Sequence, residues 1–118
     1  MIDTHCHLNF SKFKKNLQLI IDEAHDVGVR EIIVPGTDVK HSRKAIDIAK
    51  QYDHIYAAVG IHPHEVSHQT DEIIDVWLHD LEELVVSEHV VAVGEIGMDY
   101  HAIEEHQISD ADKEHQKT

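Results

Sequence analysis

Three clusters in this chain combine residue types and spacings that suit metal or anion chemistry. The first is His5-Cys6-His7. In an extended strand, residues two apart project from one face, so Asp3, His5 and His7 line one side and Cys6 points into the core. Two imidazoles so placed can bind one metal ion, with Asp3 a candidate partner for fixing a ring. The same residues also read as two unconnected histidines at a strand end. The second cluster is Gly60-Ile61-His62-Pro63-His64, where Pro63 stiffens a turn between two imidazoles. Its plainer reading is a polar loop that happens to hold histidines. The third is Gly94-Glu95-Ile96-Gly97-Met98-Asp99-Tyr100. Glu95 ends the apolar run Val90-Val91-Ala92-Val93, and a charge there is costly without a partner. Gly94 and Gly97 would let the backbone approach closely. A metal-ligand role therefore suits Glu95, the alternative being a carboxylate that reaches solvent at the rim.

Elements that could position these groups are legible in the hydrophobic pattern. Short apolar, β-branched runs recur at residues 1–4, 31–35, 55–61 and 90–96, and segments of helical period lie between them. Leu17, Ile20, Ile21 and Ala24 form one stripe, Ala45, Ile48, Ala49 and Tyr52 a second, and Ile73, Ile74, Trp77, Leu78, Leu81, Leu84 and Val85 a third. Gly28 and Asp53 close the first two helices. Ser109, with Asp112 three residues on, opens a fourth. Strands alternating with helices require parallel pairing and right-handed crossovers, which makes the chain an α/β protein of four βα units with the last one cut short. A flavodoxin-like open sheet and half of a (β/α)8 barrel both fit. In either fold the C-terminal strand ends gather on one side, where His5, His7, His62, His64 and Glu95 all fall.

Composition narrows the function classes. The chain is 42% hydrophobic and 28% charged, the balance of a globular domain, and no apolar run approaches a membrane span. One cysteine excludes an intrachain disulfide, and the opening residues lack a signal peptide's pattern, so a cytoplasmic location is expected. His25, His54, His79 and His89 fall within or beside helices and read as solvated or capping residues. The net charge of −13 argues against a polyanionic partner until its distribution is considered. Residues 1–64 balance eight acidic against eight basic side chains, and the whole excess comes from 65–118. Six of the cations, Lys12, Lys14, Lys15, Lys40, Arg43 and Lys44, fall in βα loops or first helical turns. Cations there oppose the helix dipole, so an anionic substrate explains them better than helix stability does; a solvated face is the alternative.

The segments Ile2-Asp3-Thr4-His5-Cys6-His7-Leu8, Gly60-Ile61-His62-Pro63-His64 and Val93-Gly94-Glu95-Ile96-Gly97-Met98-Asp99-Tyr100 resemble, in order and spacing, the signatures of the TatD-like metal-dependent hydrolases. Met98 stands where leucine is more usual, a volume-conserving change. The resemblance implies a TIM-barrel-like (β/α)8 fold of which residues 1–118 are the N-terminal half, a single incomplete domain. It implies a divalent metal pair, with Mg²⁺, Mn²⁺ and Zn²⁺ not distinguished. It assigns His5 and His7 to one ion, Glu95 to a bridging, catalytic position, and His62 and His64 to the substrate phosphate. Two histidines and an aspartate that complete the family's site have no counterpart here. His101, His106 and His115 lie in a polar tail with no strand before them.

The function expected is that of a divalent-metal-dependent phosphodiester hydrolase, a TatD-like deoxyribonuclease with an incomplete metal site. Lys14 and Arg43 are candidate substrate contacts, and DNA or another phosphodiester is the partner. The alternatives are an amide or lactone hydrolase of the same superfamily, and a non-catalytic metal-binding or interaction fragment. Four strands of a barrel cannot close, so self-association or a complementing C-terminal half is expected.

Overall fold

In the computed structural model, which describes residues 1–101 and 108–117, the strands are β1 (Ile2–Asp3), β2 (Glu31–Pro35), β3 (Ile55–Val59) and β4 (Val90–Val93). All pairs are parallel, in the order β1-β2-β3-β4. Helices α1 (Leu17–Asp26), α2 (Val39–Gln51) and α4 (Asp71–Val85) make the crossovers, and α5 (Asp110–His115) follows β4. A 3₁₀ turn at Ser11–Phe13 and a single helical turn, α3 (Pro63–Val66), were not signalled by the apolar pattern, since neither has a stripe to bury. Pro63 opens α3 at the position where its missing N–H costs nothing.

The pleat separates the two sheet faces. Ile32, Val34, Ile55, Ala57 and Val59 are buried in one core with Ala45, Ile46, Ile48 and Ala49 of α2. Leu17, Ile20, Ile21 and Ala24 of α1 and Leu81 and Leu84 of α4 pack on the same core. Each branched side chain buried there contributes roughly 1.5–3 kcal/mol. The other face, with Ile33, Pro35, Ala58 and Ala92, lines an open cleft. A sequential strand order with these helices on one face is the arrangement of a barrel wall; an open doubly wound sheet puts helices on both faces. β1 and β4 are the edges, and Ile2, Val91 and Val93 are exposed on them.

Local chemistry sets the boundaries. Gly28 (φ +95°) ends α1 in a Schellman arrangement, its N–H donating to His25 O and that of Val29 to Ala24 O. At the end of α2 the left-handed residue is His54 (φ +65°), not Asp53. Asp38 caps α2 by accepting from His41 N–H, and Ser109 and Asp112 form a reciprocal capping box on α5. β1, β3 and β4 stop short of the spans expected for them, because the chain leaves the ladder to form the loops that hold the site. A register shift lies between Ala57 and Ala58 where β4 pairs, so Ala57 faces Val90 but Ala58 faces Ala92. This bulge turns the end of β4, with Gly94, toward the cleft rather than the helices. Among the described residues no helix is long and apolar enough to cross a membrane.

Candidate metal centre

His5, His7 and Glu95 come together at the C-terminal ends of β1 and β4, with one ligand atom from each within 4.8 Å of the others. His5 Nε2 lies 3.1 Å and His7 Nε2 3.8 Å from Glu95 Oε1, and the two ring nitrogens are 3.2 Å apart. Neither histidine is in the strand proper. The chain leaves β1 after Asp3, but Cys6 N–H still donates to Ile33 O, which keeps this segment beside β2. Asp3 accepts from the His5 backbone N–H, so it braces the main chain rather than a ring. Cys6 is half-buried against the core, and burial, then the Asp3 charge, pushes its thiol pKa up.

Glu95 sits in the loop two residues beyond β4. Among the described residues, close backbone approach is provided by Gly60, not by Gly94 or Gly97: a Cβ at Gly60 would lie 2.5 Å from Glu95 N and O, whereas one at Gly94 or Gly97 meets none of them within 4 Å. Gly97 instead supplies a positive φ, +130°. Ser42 Oγ holds Gly60 from the α2 side, accepting from its N–H and donating to its carbonyl. Asn9 is buried and donates to Pro35 O and His41 O, which ties the loop after His7 to the end of β2 and the first turn of α2. Sequence reasoning missed Ser42 and Asn9, because nothing local marks a serine or asparagine whose partners are 18 to 32 residues away.

The donor set fits a divalent cation. Glu95 Oε2 is buried with no hydrogen-bond partner among the described residues, a costly state that a cation would relieve. Burial holds the His7 pKa below its usual value, with Glu95 the main opposing influence, so the ring is neutral and free to ligate near neutral pH. Phe10 stacks on His7, centroids 4.6 Å apart, and orients the ring.

Beside this group, His62 and His64 face Asp99. His64 Nε2 is 3.1 Å from Asp99 O and 3.5 Å from its Oδ2, and His62 Nε2 is 3.9 Å from Oδ2. The His101 N–H donates to Asp99, and this bond, ahead of the His64 and His62 charges, keeps the carboxyl below its ordinary range. His5, His62, Glu95 and Asp99 line one cleft of about 550 Å³ on the open sheet face.

The six cations divide, with Lys15 exposed on the surface. Lys12, Lys40 and Lys44 line one groove of about 360 Å³ with His41 and Phe10. Lys14 borders a neighbouring cleft with Lys44 and Asp47. Arg43 is paired with Asp80 of α4 at 3.5 Å. Of the tail histidines, His106 lies outside the described residues, His101 serves Asp99 through its backbone, and His115 faces Asp71 at 3.7 Å.

Comparison with known proteins agrees with this architecture. The family model for TatD related DNase matches residues 2–118. The uncharacterized metal-dependent hydrolase YabD of Bacillus subtilis is 39% identical over 86% of this chain, and the 3'-5' ssDNA/RNA exonuclease TatD of Escherichia coli 33% identical over 85%. The crystal structure of the TatD homologue YjjV from Escherichia coli superimposes with a TM-score of 0.82 at 34% identity, covering 99% of this chain and 42% of that one. The sheet is thus that of a TIM-barrel-like hydrolase, and the chain spans only 37–38% of the YabD and TatD sequences. It belongs to the TatD related DNase family of metal-dependent hydrolases.

Proposed function

We propose that this chain contributes the first four βα units of a divalent-metal-dependent phosphodiester hydrolase acting on DNA or RNA. The observation that carries the reading is the buried Glu95 Oε2, unpartnered among the described residues, beside two imidazoles at the mouth of an open cleft. His5, His7 and Glu95 would hold metal, and in a complete site Glu95 would be the carboxylate that two ions share. Ions bound there would supply Lewis acidity, activating water and neutralising charge on phosphate oxygens; Mg²⁺, Mn²⁺ and Zn²⁺ all suit mixed imidazole and carboxylate ligands. His62 presents a ring N–H to the same cleft, where it can donate to a phosphate oxygen. Lys12, Lys40 and Lys44 offer a track for the rest of the nucleic-acid backbone, with Lys14 at its border and Arg43 already engaged by Asp80. The TatD relatives are named as 3'-5' exonucleases on single-stranded DNA and RNA, and a single strand suits an open groove of this kind. One cysteine in the chain favours a reducing, cytoplasmic setting.

A second reading is a non-catalytic metal-binding fragment. It is favoured by the ligand count: the described residues bring together one group of three ligands, fewer than a two-ion site requires. Metal counting on the purified chain, run beside a nuclease assay on single-stranded oligonucleotides, separates the readings. Stoichiometric metal with turnover supports the hydrolase. Metal without turnover supports the fragment. No metal at all refutes both.

A further inference from the structure

Gln116, at the C-terminal cap of α5, is buried yet makes three side-chain hydrogen bonds that no charge or metal demands. Its Oε1 accepts from Asp99 N–H at 2.8 Å, and its Nε2 donates to Asp99 O and to Ser67 Oγ, both at 2.9 Å. The partners fix the orientation of the amide, since a flip would set its amino group against an N–H and its oxygen against a carbonyl. Ser67, itself buried, donates onward to Pro63 O, and Pro63 stands between His62 and His64. Gln116 therefore clamps the loop after β4 to the helical turn after β3, the two segments that carry Asp99 and the histidine pair.

The consequence is readable at the rings. A carbonyl only accepts, so His64 Nε2 must carry the proton that it directs at Asp99 O. His62 Nδ1 accepts from His64 N–H, which leaves the proton of the neutral His62 ring on Nε2, facing the Asp99 carboxylate and the cleft. We propose that Gln116 is a positioning residue: by setting Asp99 against the histidine pair, it fixes His64 as an Nε2–H donor and holds the Asp99 carboxylate beside Nε2 of His62. The proposal deepens, and rests on, the assignment of His62 to the substrate phosphate.

The test is imidazole ¹⁵N spectroscopy of the full chain with inorganic phosphate as probe. In the wild type, His62 and His64 should both show the Nε2–H signature at alkaline pH, and phosphate should shift His62. Gln116→Ala removes all three bonds, while Gln116→Glu keeps shape and the acceptor for Asp99 N–H but cannot donate. Both should give mixed tautomers at His64, while His62 keeps its Nε2–H form, and about tenfold weaker phosphate binding, the scale of one lost hydrogen bond. Wild-type tautomer signatures in both variants would overturn the role of Gln116. Wild-type imidazoles that ignore phosphate would refute the phosphate assignment alone, and the tautomer comparison would still decide the clamp.

Discussion

A methyl group added at Gly60 should damage the site through the backbone of Glu95. In Gly60→Ala the new Cβ would lie 2.5 Å from Glu95 N and O, where ordinary contact begins near 3.4 Å, so one backbone must retreat by about 1 Å. Gly60 cannot yield easily, because Ser42 Oγ bonds both its N–H and its carbonyl at 3.2 and 3.3 Å. The displacement therefore falls on the loop of Glu95, whose Oε1 is 3.1 Å from His5 Nε2. Overpacking of this kind costs about 1–3 kcal/mol. A ligand constellation tolerates only about 0.5 Å of error, so metal affinity should fall roughly 10- to 100-fold as well. Denaturant unfolding reads the first effect and competition against a chromogenic chelator the second. Gly94→Ala, whose Cβ meets nothing within 4 Å among the described residues, is the matched control. A Gly60→Ala chain with the wild-type unfolding midpoint and metal affinity would refute the claim that Gly60 exists for this contact.

Any nuclease activity of the chain should vanish on chelation and fall roughly a hundredfold in Glu95→Ala, and activity that survived both would remove the metal mechanism. Lys12→Glu combined with Lys40→Glu should weaken single-stranded oligonucleotide binding and flatten its logarithmic salt slope by roughly 1.4, two contacts at about 0.7 each, whereas Arg43→Glu should leave the slope near wild type. Sedimentation at low micromolar concentration should find a dimer or larger species, because β1 and β4 are open edges and Ile2, Val91, Val93 and Ile96 are exposed; a stable, fully active monomer would contradict this. The depressed Asp99 pKa means stability that is present above the ordinary carboxylate value of 3.8 and is lost as pH falls through the folded-state value. Acid titration of wild type against Asp99→Asn should therefore show the two curves converging only at pH values below that window.

The sequence by itself determined the alternation of strands and helices and the identity of the ligand candidates, because both are written in local periodicity and residue type. Apolar stripes at Leu17–Ala24 and Ala45–Tyr52 can only bury against a sheet, and Gly28 and Ser109 mark helix boundaries through backbone rules that need no distant partner. The motifs around His5, His62 and Glu95 were legible for the same reason. What local pattern could not carry was anything that depends on which segments meet. Strand order, and with it the choice between a barrel wall and an open doubly wound sheet, is fixed by how α1, α2 and α4 share one face. The close approach proved to belong to Gly60, since a collision between β3 and the loop after β4 is invisible in either segment alone. Arg43 and Lys12 look alike in sequence, yet one faces Asp80 and the other lines the basic groove, a distinction made by the packing of α4 on α2. Gln116 is the extreme case: a polar residue in a polar tail, it acquires meaning only because folding lays it against Asp99 and Ser67, 17 and 49 residues away.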